Sequence, residues 1–214
     1  MEVCYNDRER TGNQVLMSTV FDTIITTGVR AGQIPARTDA ARAWYRDAAQ
    51  SFGKVNERRL LAGDATRMVN IIKPGNMYMF MYDPKYKETL PYYDRFPMIF
   101  PFRVESDRFW GLNLHYLPHT FRARLMDALY DTATNQRFDE TTKLRMSYKM
   151  LQSASKIKFF EPCVKQYLYS QLNSKFLYVY PSEWDIALFL PLERFAKATK
   201  TQVWSQSKKM VGAR

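Results

Sequence analysis

Residues Lys73 to Pro118 read KPGNMYMFMYDPKYKETLPYYDRFPMIFPFRVESDRFWGLNLHYLP, a block of strand-like runs set between flanks that read as helices. Met77, Met79 and Met81 alternate with Tyr78, Phe80 and Tyr82, so a strand here turns a thioether face one way and an aromatic face the other. Both faces are apolar, so the strand has to be covered on both sides. Asp83-Pro84 ends it, because proline cannot donate to a ladder and restricts the residue before it. Lys85 to Arg95 is then a polar, tyrosine-rich excursion. Met98 to Val104 reads as a second strand, with Pro101 tolerable only at an edge or a bulge. Phe109 to Tyr116 reads as a third: Trp110, Leu112, Leu114 and Tyr116 share one face, and Phe109, Gly111, Asn113 and His115 the other. Three short strands with one large excursion predict a small, strongly bent antiparallel β-barrel of SH3-like type.

Working outward, residues 1–37 carry Gly12, Gly28, Gly32 and Pro35 without a sustained period. They read as an extended arm with one short ordered segment at Val15 to Ile25. Thr38 suits an N-cap for a helix whose Ala41, Trp44, Tyr45, Ala48, Ala49 and Phe52 form an apolar stripe as far as Gly53. Arg37, Arg42 and Arg46 lie off that stripe and read as a solvated face, with a phosphate-facing one as the lesser alternative, and Asn56 to Leu61 adds a short helix. Beyond the strand block, Pro118 and His119 open a helix with Phe121, Leu125, Ala128 and Leu129 inward and Arg122 and Arg124 on other faces. Asp139 caps the next helix, through Leu144, Tyr148 and Leu151. Glu161-Pro162 starts a further one with Val164, Tyr167, Leu168 and Leu172 inward. Phe176 to Tyr180 reads as a strand returning to the sheet. Ser182 and Asp185 resemble a capping box for a helix that kinks at Pro191 and runs on through Phe195. The expected class is α+β: an arm (1–37), a helix plus small barrel (38–118), a helical region with one returning strand (119–200) and a basic tail (201–214).

The 214 residues, 46% of them hydrophobic, suffice for a sizeable core. Thirty-two Lys and Arg against 21 Asp and Glu leave a net charge of +11. That balance favours an acidic partner, either nucleic acid or an acidic protein surface, over a membrane, the plain alternative being a basic but unpartnered surface. From Leu190 onward six basic residues face a single acid, so nearly half of the surplus sits at the end of the chain. Cys4 and Cys163 are too few for a disulfide framework or a thiolate zinc site, and fit a reducing cytoplasm. No signal-peptide pattern opens the chain, and no run approaches the ~18 apolar residues of a membrane span. Neither secretion by that route nor membrane insertion is expected.

Catalytic chemistry finds little support. His115 and His119 stand four apart, but Pro118 intervenes, so the helical geometry for metal ligation fails and no metal site is expected. Asp83, Glu88, Asp94, Glu105 and Asp107 flank the strand block; a magnesium-dependent nuclease would need two or three of them to converge, whereas turn carboxylates are ordinarily solvated. There is no phosphate-cradling glycine loop and no nucleophile elbow. Lys85, Tyr86, Lys87, Tyr92, Tyr93 and Arg95 interleave cations with rings, the mixture used by single-strand binders, although rings packed on the barrel with charges in water is the plainer reading. The expected nucleic-acid contacts are Lys85, Lys87, Arg95, Arg122, Arg124, Lys200, Lys208 and Lys209, with no catalytic residue and no cofactor.

The phrases MYMFMYDPKYKETLPYYDRFPMIFPF, GLNLHYLP and SEWDIALFLPLERF resemble a family of virion and assembly proteins of T-even-like tailed bacteriophages, of the DNA end protector or head-completion class. The most distinctive part is YDPKYKETLPYYDRFP, and the resemblance spans Trp44 to Trp204. It implies a non-enzymatic protein of the virion, present in the host cytoplasm during assembly, that binds the end of the packaged duplex near the portal and shields it from host exonuclease. Portal, neck or baseplate subunits are the implied protein partners. Two alternatives stay open: a neck, tail or baseplate subunit acting through protein interfaces, and the magnesium-dependent nuclease.

Overall fold

The computed structural model describes residues 19–34, 38–133, 137, 139–154 and 156–212. In chain order its elements are α1 (Val20–Arg30), α2 (Asp39–Ser51), α3 (Glu57–Ala62), β1 (Met68–Val69), β2 (Met77–Met79), β3 (Tyr93–Asp94), β4 (Met98–Val104), β5 (Arg108–Asn113), α4 (His119–Ala133), α5 (Glu140–Ala154), β6 (Val164–Leu168), β7 (Phe176–Val179), α6 (Trp184–Phe189), β8 (Phe195–Ala196) and α7 (Lys200–Gly212). Six strands form one antiparallel sheet in the order β1-β7-β2-β4-β5-β6, and β3 pairs separately with β8.

The α+β class is as expected, but the sheet is open and no SH3-like barrel closes. Its edge strands, β1 and β6, do not pair with each other. Two of its strands come from the C-terminal half: β7 inserts between β1 and β2, and β6 extends the sheet beyond β5. A barrel drawn from the Lys73–Pro118 block alone lacks both. Proline 101 sits where β4 and β5 lose register, between Pro101 and Arg103, so its missing donor falls at a bulge.

Strand β2 is buried along its whole length. Met77 and Met79 join a large core with Phe100, Leu112, Leu177, Trp184 and Leu188, whereas Tyr78 and Phe80 join a second, smaller core with Ile99, Phe109, Tyr167 and Phe176. The Phe80 ring centroid lies 5.1 Å from that of Phe176, 5.3 Å from Tyr167 and 5.8 Å from Phe109, in edge-on contacts. Tyr167 belongs to β6, three strands away from β2, so the sheet must curl around this aromatic cluster. The curl brings Tyr82 to a bridge with Leu172, and the Tyr82 hydroxyl accepts the Leu168 N–H at 3.1 Å.

Helices cover the larger core. Thr38 caps α2 as expected, and a Thr19–Asp22 capping box starts α1. Helix α1 overlaps the short segment expected in the arm and packs on α2, where Gly28 leaves room for Tyr45: an added Cβ would meet the Tyr45 hydroxyl at 2.2 Å. That hydroxyl donates to the Gln33 carbonyl at 2.9 Å. Residues 1–18, 213–214 and 35–37, the last including Arg37 of the expected solvated face, lie outside the described residues.

Three expectations are corrected. The helix expected from Glu161 is strand β6, because β5 presents an open ladder that Val164–Leu168 completes, with Tyr167 filling the aromatic core; such tertiary pairing overrides a helical spacing of apolar residues. Helix α6 stops at Phe189 instead of running to Phe195, which lies in β8 against β3. Arg42 and Arg46 do not face water. Arg42 is only 6% exposed and donates to Asp185 at 2.9 Å and Asp127 at 2.8 Å, and Arg46 reaches the same two carboxylates at 2.7 and 2.8 Å. One charged cluster thus ties α2 to α4 and α6. Asp185 is spent there, and Glu183 instead accepts the Tyr180 N–H at 3.2 Å and Arg67 at 2.6 Å.

A second buried cluster joins α4 to the end of α6. The Arg122 guanidinium donates to the carbonyls of Leu117 and Leu188 at 2.7 Å each and pairs with Glu193. Burial pulls Arg122 below its ordinary value, yet an arginine remains charged. Burial would raise the Glu193 carboxyl, but Arg122 and the neighbouring His119 outweigh it and hold Glu193 well below the usual carboxylate range. The folded state therefore favours ionised Glu193. Its stabilisation is complete above the unfolded glutamate value near ~4.3 and is lost as pH falls below it toward the folded value. Glu193→Gln is expected to destabilise by about 3 kcal/mol or more at pH 7, since Arg122 stays buried without its counter-charge. The deficit relative to the parent should shrink at pH 3, read from urea midpoints; an equal deficit at both pH values would refute the charge-based account.

Candidate nucleic-acid interface

The excursion from Asp83 to Arg95 is a compact loop. The Lys87 N–H donates to the Pro84 carbonyl at 3.2 Å and the Thr89 N–H to that of Tyr86 at 3.1 Å. Lys87 pairs with Asp83 at 2.8 Å. A clasp from the other end of the chain fixes the loop: the Lys197 ammonium donates to the carbonyls of Lys87 at 2.6 Å, Glu88 at 2.9 Å and Leu90 at 3.4 Å. Lys197 holds this position with φ at 66°, the left-handed region that a side chain occupies only at a cost. Beside it the Phe195 ring packs on Tyr116, with centroids 5.1 Å apart, and on Tyr92 at 6.5 Å.

Between this loop and β6 runs a groove of about 820 Å³. Tyr86, Tyr92, Tyr116 and Tyr169 line it together with Lys85, Arg108 and Lys165. The Lys85 ammonium stands 5.4 Å from the Tyr86 ring centre and that of Lys165 4.2 Å from the Tyr116 ring centre. Burial draws the Lys165 ammonium below the ordinary lysine value. Arg108 is engaged with Asp107 at 2.7 Å.

The groove's inner wall rests on a buried polar network. His115 Nδ1 lies 2.7 Å from Asp94 Oδ2, which also accepts the Asn113 amide at 3.0 Å; that amide donates in turn to the Tyr167 hydroxyl at 3.1 Å. Facing a carboxylate, Nδ1 is assigned the imidazole proton. Burial pushes the Tyr167 hydroxyl well above the ordinary tyrosine value. His115 is fully buried, so this carboxylate–histidine pair supports the wall and does not meet a substrate. The Trp204 indole donates to the His115 carbonyl at 2.8 Å and so anchors α7 here.

The sequence-expected contacts separate into distinct places. Lys85 lines the groove; Lys87 is tied up with Asp83; Arg95 lies in a different hollow beside Glu57, Arg58 and Arg194. Arg122 has no exposed surface and holds the core together, so it is withdrawn as a contact. The Arg124 side chain lies outside the described residues. Lys200, Lys208 and Lys209 are exposed on α7, which contains no acidic residue, while Val203 and Ser207 face inward. Arg108, Lys165 and Tyr169 were not expected. For Lys165 the signal was present in the alternation of Val164, Gln166 and Leu168 with Lys165 and Tyr167, which suits a strand as well as a helix.

The carboxylates of the nuclease alternative do not converge. Asp83, Glu105 and Asp107 pair with Lys87, Arg103 and Arg108, and Asp94 is buried against His115. Among the described residues no group of three or more His, Cys, Asp or Glu is placed to hold a metal ion. No helix among them is long and apolar enough to cross a membrane.

No curated protein and no solved structure matches the chain. A family model described as Phage T4 terminal DNA protecting protein matches residues 6–211, nearly the whole length, including the groove, the excursion and α7. The chain therefore belongs to the phage T4 terminal DNA protecting protein family, the DNA end protectors of T4-like phages.

Proposed function

We propose that this chain covers the terminus of a packaged phage genome by direct contact and does not cleave it, with the duplex seated against Lys200, Lys208 and Lys209 of α7. The family membership carries the reading. It is supported by the charge of α7: three exposed lysines and no acid on the same helix. Among the described residues no carboxylate lies within ion-pair distance of these three. Lysines of this kind bind phosphate as point charges and release counterions, so affinity depends on charge number and not on sequence.

A protein-contact role in the particle, with portal, neck or baseplate subunits as partners, is favoured by one observation. An apolar groove of about 570 Å³ lies between α4, α5 and the turn that follows, lined by Leu125, Met150, Ala154, Ile157, Phe159 and Phe160, with Ile157 51% exposed. The two readings are compatible: one face for DNA and another for the particle, with the protein in the virion after assembly in the host cytoplasm.

Binding to linear and circular duplexes of equal length, across a salt series, tests the reading. Preference for the linear form and steep loss of affinity with salt are expected. Lys208→Glu with Lys209→Glu should lower the slope of log affinity against log salt by about two and weaken binding without unfolding the chain. Indifference to that double substitution would remove α7 from the interface. DNA incubated with the protein and magnesium should stay intact and resist added exonuclease, and cleavage that stops with chelator would restore the nuclease reading.

A further inference from the structure

We infer that the groove between the excursion and β6 holds unpaired nucleotides at a DNA strand terminus, its rings stacking on bases and Lys85 and Lys165 meeting phosphates. The inference rests on the end-protecting function and names the part of the DNA end that this site takes. Single strands expose both base faces and a flexible backbone, and proteins that hold them pair aromatic platforms with cations. Here Lys85 stands beside the Tyr86 ring, and Lys165 stands over the Tyr116 ring, which at 4% exposed holds the lysine in place and leaves stacking to Tyr86, Tyr92 and Tyr169. The Tyr86 ring is not packed into the core: the residue is 64% exposed, and Tyr92 and Tyr169 are half-buried at the same groove.

The electrostatics agree. No carboxylate among the described residues lies within ion-pair distance of Lys85 or Lys165. The two carboxylates that line the groove are already engaged, Asp94 by His115 and Asn113 and Asp107 by Arg108. A phosphate entering the groove would thus supply the counter-charge that Lys165 lacks, and would reverse the downward pull of burial on its ammonium.

Size and rigidity fit as well. About 820 Å³ lies within the ~300–1,000 Å³ of preformed ligand sites. Lys197 fastens the loop wall in advance, so less ordering is left for the binding step. Three residues after Lys197, Lys200 begins the cationic run of α7, so the segment that clasps the groove's loop leads straight into the helix proposed to carry the duplex. A peptide strand adding to the edge of β6 is the competing occupant. It is disfavoured because the Tyr82 hydroxyl already takes the Leu168 N–H on that edge.

The test uses the full chain with three probes: a blunt linear duplex, and the same duplex carrying a 5′ or a 3′ single-stranded extension of about six nucleotides. The parent protein is expected to bind one extended probe about tenfold more tightly than the blunt one. Tyr86→Ala, an exposed change that spares the core, and Lys165→Met, which keeps the buried stem, should each remove most of that margin while blunt-end affinity holds. Equal affinity of the parent for blunt and extended probes, or an undiminished margin in both variants, overturns the groove assignment and leaves end binding standing. Failure of the parent to bind any linear duplex overturns both.

Discussion

A strand that is apolar on both faces cannot lie on the surface of anything, and β2 imposes that condition on the whole molecule. Met77 and Met79 require a helical layer on one side; Tyr78 and Phe80 require cover on the other, where among the described residues no α-helix contributes to the aromatic cluster. The sheet meets the second demand by bending over its own aromatic residues. Tyr167 and Phe176, from strands far along the chain, close on Phe80, so the N- and C-terminal halves cannot fold as independent units. The open six-stranded order follows from that requirement: each added strand buries more of β2 or of its neighbours.

Five arginines work inside the structure, while others such as Arg58, Arg95 and Arg103 stay exposed. Arg42, Arg46, Arg67, Arg122 and Arg194 hold carboxylates or carbonyls inside or at the margin of the core, where the planar guanidinium satisfies several acceptors at once. The lysines of α7 and of the excursion stay outside. The internal arginines engage Asp127, Asp185, Glu183 and Glu193, so these acids do not offset the exposed lysines of α7. A protein that meets DNA while keeping its fold intact needs that separation, because cations engaged in the core cannot be drawn off by phosphate.

The sequence was readable where periodicity and capping act locally. The two-faced β2, the Thr38 cap, the bulge at Pro101 and the returning strand at Phe176 all follow from near neighbours. The misreadings share one cause, a partner far along the chain. Val164 to Leu168 has apolar residues that suit either period, and only the open ladder of β5 makes it a strand. Arg42 and Arg46 lie off their helix's apolar stripe, and only Asp127 and Asp185, some 80 and 140 residues on, draw them inward. Arg122 was misplaced for the same reason. The groove was half legible: its tyrosine loop stood out by composition, but its opposite wall depends on β6 and was hidden by the helical reading.

Lys197, on a backbone that costs it, reaches three carbonyls of the excursion, and it does not act alone. At the end of the same excursion β3 pairs with β8, and the Arg95 N–H donates to the Arg194 carbonyl. Four consecutive residues from Arg194 to Lys197 therefore set the shape of a loop some hundred positions earlier. A substitution anywhere in that short segment acts on one groove wall without touching the groove's own sequence.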